Sequence, residues 1–315
     1  MRKRRSSCLM ITGISAFLAF DIGMSGIAGA QEQRPDNEGA DTRPKIVWAV
    51  DAITPGFIKV EGRVNGYGAQ MLDWFIARMP GHDHLIEILP RRSAFDAMRM
   101  ATETGETGET VCIPGLLRSP ERERDFAMSR TVAPLLPLSV VVSRSARSSF
   151  RPYMAGDGTI DLEALLGDTS RYTALAKSRS YGPQIDSILA RAINAPNVLR
   201  TDNQSSFLSM LEMGRIDWML AYPVEIEFRR RATNSIPDIV SLPISGMPEL
   251  LDIGIACSRS QNGMVAVEKF DTILAAHPDM PWLEYYVEYL APQDRDRFRE
   301  ALEHFKKSQM LPVGQ

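Results

Sequence analysis

Residues 45–56 read KIVWAVDAITPG and residues 66–79 read GYGAQMLDWFIARM, and these two stretches decide the fold class. The first is an apolar run, stopped by Asp51, Thr54, Pro55 and Gly56, as a strand covered on both faces ends in a turn. The second places Met71, Leu72, Phe75, Ile76 and Met79 at helical spacing, one apolar stripe on an amphipathic helix. Strand, loop, helix then recurs. Residues 85–89 form a short strand, residues 93–100 a helix with Phe95 and Met98 on one side, and residues 111–113 a strand leading to Gly115. Alternation of this kind builds a parallel sheet covered by helices.

Working outward, a second alternating block begins after a strand at 138–142 (LSVVV). A strand at 172–177 leads to Ser180-Tyr181-Gly182-Pro183, which opens a helix with Ile185, Ile188, Leu189 and Ala192 on one face. Pro183 takes the first helical position, where its missing N–H costs nothing. A strand at 198–201, a helix at 205–213 closed by Gly214, and a strand at 217–222 (DWMLAY) follow. Residues 239–243 then lead to an apolar strand at 253–257, and helices fill 264–276, 282–290 and 294–306. The expected fold is α/β: two Rossmann-like lobes with a two-strand hinge. Lobe 1 is expected over 44–140 plus 253–310 and lobe 2 over 141–252, with a ligand cleft between them.

Composition narrows the function classes. Of the 315 residues, 44% are hydrophobic and 24% charged, which excludes a disordered chain. Lys and Arg number 36 against 39 Asp and Glu, a net charge of −3, so no basic excess exists to hold a phosphate backbone and no nucleic-acid partner is expected. Three cysteines exclude a disulfide-stapled scaffold and a four-cysteine zinc site. His82 and His84, in a Gly-His-Asp-His loop, read as solvated residues, so neither metal nor cofactor is expected. The TETGETGET run at 102–110 reads as a solvated loop.

The N-terminus reads as a secretory signal over residues 1–30. Arg2, Lys3, Arg4 and Arg5 precede a mostly apolar stretch from Cys8 to Phe20, and Ala28-Gly29-Ala30 has the form that signal peptidase cleaves, after Ala30. The apolar run is too short for a membrane span. Residues 31–43 read as a mobile leader. Removing the signal takes four basic residues and one acid, changing the net charge from −3 to −6. It leaves Cys112 and Cys257, which in an exported protein form either a disulfide or two buried thiols. A periplasmic, monomeric protein is expected.

At this level the sequence resembles the type II periplasmic solute-binding proteins of family 3, the amino-acid type. The resemblance covers residues 46–290 and rests on three segments. Residues 115–129 (GLLRSPERERDFAMS) resemble the family's Ser/Thr-x-x-Arg followed by Phe-Ser, residues 178–182 (SRSYG) its second-lobe ligand loop, and residues 214–222 (GRIDWMLAY) its Gly-Arg-apolar-Asp strand entry. The resemblance implies a small-molecule ligand held between the lobes, and an ABC permease or membrane sensor as partner.

It also implies the site. Arg122 stands where the family's carboxylate-binding arginine would be, its planar fork matched to a carboxylate. By itself Arg122 is one more surface charge in the run Glu121-Arg122-Glu123-Arg124. Ser119 would add a hydroxyl, and Ser180, Tyr181 and Gly182 a helix start with free N–H groups, equally readable as an ordinary cap. Phe57, Tyr67 and Arg92 follow lobe 1 strands at positions that line a cleft or pack. The departure is Tyr222, where amino-acid binders usually carry an aspartate for the ligand ammonium. This puts a standard α-amino acid in question and leaves a different carboxylate or polar molecule as the expected ligand. No nucleophile–base pair, metal set or phosphate loop stands out, so a non-enzyme is expected. The alternatives are a periplasmic dehydratase or glycan-cleaving enzyme on the same fold, or the sensing subunit of a receptor.

Overall fold

The computed structural model describes residues 43–51, 55–104, 109–177, 179–201, 203–232 and 238–310. The expected signal sequence, its cleavage point and the leader up to Thr42 lie outside these residues, as do Thr54, Ser178 and the middle of the Gly-Glu-Thr repeat.

The first lobe begins with β1 (Lys45–Val50), a hairpin of β2 (Ile58–Val60) and β3 (Arg63–Asn65), and α1 (Tyr67–Ile76). It continues through β4 (Asp83–Ile88), α2 (Arg91–Glu103), β5 (Thr110–Leu117), α3 (Pro120–Asp125) and β6 (Ala127–Leu135). The second lobe runs through β7 (Ser139–Ser143), α4 (Leu162–Gly167), β8 (Thr173–Ala176), α5 (Pro183–Arg191), β9 (Val198–Thr201) and α6 (Phe207–Glu212), then β10 (Trp218–Ala221), α7 (Pro223–Ala232) and β11 (Ile239–Pro243). The chain returns with β12 (Leu251–Cys257), followed by α8 (Gln261–Ala276), α9 (Glu284–Val287) and α10 (Pro292–Met310).

Each lobe is a five-stranded sheet, in the order β4-β1-β5-β12-β6 and β9-β8-β10-β7-β11. The two orders are equivalent. In each, one strand, β1 or β8, pairs in parallel with the two strands that follow the next helices, β4 and β5 or β9 and β10, and a strand from the hinge, β12 or β7, is inserted antiparallel next to β5 or β10. Helices cover both faces, so the strands are apolar on both sides. Trp48 and Val50 join one core cluster of lobe 1 while Val47 and Ala49 join the other. In lobe 2, Val140, Val142, Trp218 and Leu220 face one core, and Val141, Met219 and Ala221 the other. This is period-two side-chain direction acting on a sheet with no solvent face.

Two crossings join the lobes, between Leu135 and Ser139 and between Pro243 and Leu251. β6 and α3 are absent from the sequence reading because Pro134 and the charged run at 121–125 break both periodic patterns. β6 nonetheless pairs along its length with β12, Asp252 standing opposite Pro134. The C-terminal helices complete lobe 1: Phe270, Trp282, Tyr286 and Phe298 are buried in its core. Cys112 and Cys257 are register partners on β5 and β12 and are joined by a disulfide, their Cα atoms 4.0 Å apart.

His82 and His84 are not solvated. His84 Nδ1 accepts from Trp48 Nε1 at 3.1 Å, which leaves its Nε2–H to donate to the Met79 carbonyl, and His82 is buried. Both serve packing. Among the described residues no cluster of metal-ligating side chains occurs, and no helix is long and apolar enough to cross a membrane.

Candidate functional site

A cavity of about 440 Å³ lies between the lobes, where the carboxyl ends of β1 and β5 face the loops after β8 and β10. These are the points at which each sheet changes winding direction, where open α/β sheets leave a crevice.

Arg122 is the central polar group of the lobe 1 wall. Ser119 caps α3, its Oγ accepting from the Arg122 backbone N–H at 3.3 Å, and Pro120 begins the helix. This turns Arg122 inward while Glu121, Glu123 and Arg124 stay exposed. The guanidinium donates from Nη1 to the Leu117 carbonyl at 2.6 Å and lies over the Phe95 ring. No carboxylate among the described residues pairs with it, and its remaining N–H groups have no protein partner there. Burial, reinforced by repulsion from Arg91 and opposed by Glu121, pulls its pKa below the usual arginine value. A positive charge made less comfortable in this way is relieved by an anion.

Arg91, the first residue of α2, lines the same wall and donates from Nε to Asp51 Oδ2 at 3.3 Å. The cleft therefore takes Arg91 and not the expected Arg92, which is exposed on α2. One residue along a helix is a rotation of about 100°, and no periodic pattern marked which of the two arginines turned inward. Phe57 and Tyr67 do line the cavity. The loop that carries Phe57 packs against the start of α1, where the N–H groups of Gly68 and Ala69 donate to the Gly56 carbonyl. A Cβ at Gly68 would stand 2.8 Å from that carbonyl oxygen, so glycine is required for this approach. Met71, Leu72, Phe75, Val132 and Leu136 of the lobe 1 core also line the cavity.

The lobe 2 wall differs from expectation. Ser180 and Gly182 line the cavity, but Tyr181 is in the lobe 2 core, its hydroxyl accepting from the Ala176 N–H at 2.9 Å. Ser119, too, is consumed by its capping bond and does not line the cavity. The helix start at α5 is already occupied: Asp186 accepts from Ser180 Oγ at 2.5 Å and from the Tyr181 N–H at 2.8 Å. A backbone site expected for an outside anion thus holds the chain's own carboxylate.

Tyr222 lines the cleft and packs against the cores of both lobes. Beside it is a pair that the sequence reading did not single out. Arg179 reaches Glu225 with both terminal nitrogens, Nη2–Oε1 at 3.0 Å and Nη1–Oε2 at 3.3 Å, with side chains only 17% and 12% exposed. Glu225 also accepts the Tyr222 backbone N–H at 3.2 Å, and the Arg179 guanidinium covers the Tyr181 and Tyr222 rings. The only signal for the pair was Arg179's place inside the 178–182 loop motif. Burial raises the pKa of Tyr67 and of Tyr222, so both phenols stay neutral, and neither hydroxyl has a partner among the described residues.

No protein-family model matches the sequence, and no curated protein matches it. Among solved structures, the chain is similar to a histidine kinase sensor domain with similarity to periplasmic binding proteins, at 17% identity over 80% of this chain and 98% of that one, with a TM-score of 0.54. It is similar to an ancestral cationic amino acid solute-binding protein at 14% identity, over 80% and 97%, with a TM-score of 0.57. A third likeness is to the extracellular-binding protein of a probable amino-acid ABC transporter of Bacillus subtilis, at 13% identity, over 79% and 98%, with a TM-score of 0.56. At these identities the likeness shows the fold, that of the type II periplasmic solute-binding proteins. These neighbours are binding and sensor domains rather than enzymes.

Proposed function

We propose that this protein is a periplasmic solute-binding protein that closes its two lobes over a small carboxylate-bearing ligand. The observation that carries this reading is Arg122: a partly buried guanidinium facing the interlobe cavity, with free donors and no carboxylate partner among the described residues. A carboxylate there receives charge-assisted hydrogen bonds in a low-dielectric crevice. The two-crossing hinge supplies an open–closed equilibrium that a ligand touching both lobes shifts toward closure. The closed form is then what a membrane partner recognises, an ABC permease or a sensor kinase, and the chain works as a monomer. The likeness to a histidine kinase sensor domain supports the sensor as the second of these partners.

The test is mass spectrometry of the ligand released from purified protein, followed by calorimetric titration of that ligand into wild type and Arg122→Ala. A carboxylate ligand and a large loss of affinity in the variant are expected. Unchanged affinity would overturn the role of Arg122, and turnover of the ligand during titration would replace the binding reading by an enzymatic one.

A further inference from the structure

The geometry points to a ligand that is a monocarboxylate with an uncharged, mainly apolar body and no ammonium group, and to Arg179 as the residue that excludes the ammonium. This inference rests on the carboxylate reading above and narrows it to a chemical class.

The charges on the cleft walls carry the first half of the argument. Among the described residues lining the cavity the carboxylates are Asp51 and Glu225. Asp51 is held by Arg91, and Glu225 by the fork of Arg179 together with the Tyr222 N–H. Arg229, one turn further along α7, adds a second positive field at Glu225. Asp186 is not among the lining residues and is turned to its own helix start, accepting from Ser180 Oγ and the Tyr181 N–H. An ammonium entering this cleft would lose its water and find both lining carboxylates already paired with arginines, which is the costly way to bury a charge. An anion meets Arg122, whose N–H groups beyond the one given to Leu117 have no partner among the described residues. With the two ion pairs cancelling internally, Arg122 leaves the lining with one positive charge to satisfy.

The shape of the cavity carries the second half. Its lining includes Met71, Leu72, Phe75, Val132 and Leu136, side chains that belong to the lobe 1 core. A polar or charged ligand body would find no partner on these surfaces, whereas an alkyl or aryl body gains contact with them. Carboxylate on Arg122 and apolar body against these side chains is the orientation that satisfies both halves.

A matched pair of probes tests the inference: 3-phenylpropanoate and phenylalanine, which differ by the ammonium group, titrated calorimetrically into wild type, Arg122→Ala, Arg179→Met and Arg179→Lys. Wild type is expected to bind 3-phenylpropanoate tighter than phenylalanine by roughly tenfold or more. Arg179→Met, which releases Glu225, is expected to narrow or reverse that ratio, and Arg179→Lys to preserve it. Equal or tighter binding of phenylalanine by wild type, or no binding of 3-phenylpropanoate at millimolar concentration, would overturn the inference. An unchanged ratio in a folded Arg179→Met would remove Arg179 from it. Binding of 3-phenylpropanoate to Arg122→Ala as tight as to wild type sinks the underlying carboxylate reading instead, an outcome distinct from any result of the amine comparison.

Discussion

The two lobes share one sheet order, yet their cleft walls differ in which charges are left unpaired. Lobe 1 presents Arg122 with donors to spare, whereas lobe 2 presents Arg179 and Glu225 already closed on each other and Asp186 folded over its own helix start. The covalent structure differs as well: lobe 1 has its inserted strand bonded to β5 through Cys112 and Cys257, and lobe 2 holds its inserted strand β7 by pairing and packing. Equivalent topology therefore fixes where a site sits, at the carboxyl ends of the same strands, but not which charges are available there. In the function proposed above, lobe 1 captures the anion and lobe 2 shuts over it.

The disulfide gives the largest break in the comparison. It spans 145 residues of sequence, and cross-linking a loop of that size is worth about 5 kcal/mol by unfolded-chain entropy. Replacing both cysteines by alanine should lower the unfolding midpoint in urea accordingly, with hydrogen exchange rising in β5 and β12 before it rises in β7 and β10. Uniform loosening of both lobes would refute the assignment of the effect to lobe 1.

Where the lobes meet, Asp294 at the start of α10 gives the next effect. It is buried, 3.2 Å from Arg297, which also reaches Ser139 of β7, and Glu227 of α7 lies close enough to repel it. Burial pushes its carboxyl from 3.8 up to about 6, against the pull of Arg297. A raised carboxyl pKa means that the folded chain binds the proton more tightly than the unfolded chain does. That stability is present below the unfolded value and is lost as pH rises through about 6, amounting to roughly 2–3 kcal/mol. The midpoint of thermal unfolding should accordingly fall, relative to Asp294→Asn, between pH 4 and 7; parallel profiles for the two proteins would refute this account.

Within the cleft, Arg122→Ala should weaken carboxylate binding by about 2–3 kcal/mol, the range of charge-assisted hydrogen bonds. Arg91→Ala should cost less, about 1 kcal/mol, because Arg91 is already partnered by Asp51. Titration of both variants sharpens the contrast between a free and a paired guanidinium, and equal losses would erase it. The smallest effects belong to exposed pairs. Arg43–Asp83 in lobe 1 and Arg191–Glu163 in lobe 2 are each more than half exposed, so alanine at either arginine should change stability by about 0.5 kcal/mol or less.

Much of the fold was legible in the sequence. The runs KIVWAV, LSVVV and WMLA announce strands covered on both faces, and Met71, Leu72 and Phe75 announce the helix that covers β1. β6 was not legible, because Pro134 and its polar neighbours look unlike a strand until β12 is placed beside them. The α7 helix was missed for a related reason: three consecutive arginines at 229–231 mask its short apolar face. In the site, Phe57, Tyr67, Ser180, Gly182 and Tyr222 line the cavity together with Arg122, whereas Ser119, Tyr181 and Arg92 have other places. Ser119 and Tyr181 were chosen for their place in a motif and Arg92 for its place after a lobe 1 strand, and capping, core packing and helix rotation then turned each away.

By itself the sequence determined the alternation of elements, the division into two α/β units and the loop in which Arg122 stands, because these depend on local periodicity and on turn residues. Only the tertiary structure decided which charges are spent. Asp51 meets Arg91 from 40 residues away and Glu225 meets Arg179 from 46, and Cys112 meets Cys257 across 145. Coulomb energy and bond formation depend on distance in space, so no spacing rule along the chain reports whether a carboxylate is free or already held. What the cleft walls leave unpaired follows from that pairing: the Arg122 guanidinium, in a cavity lined largely by apolar side chains.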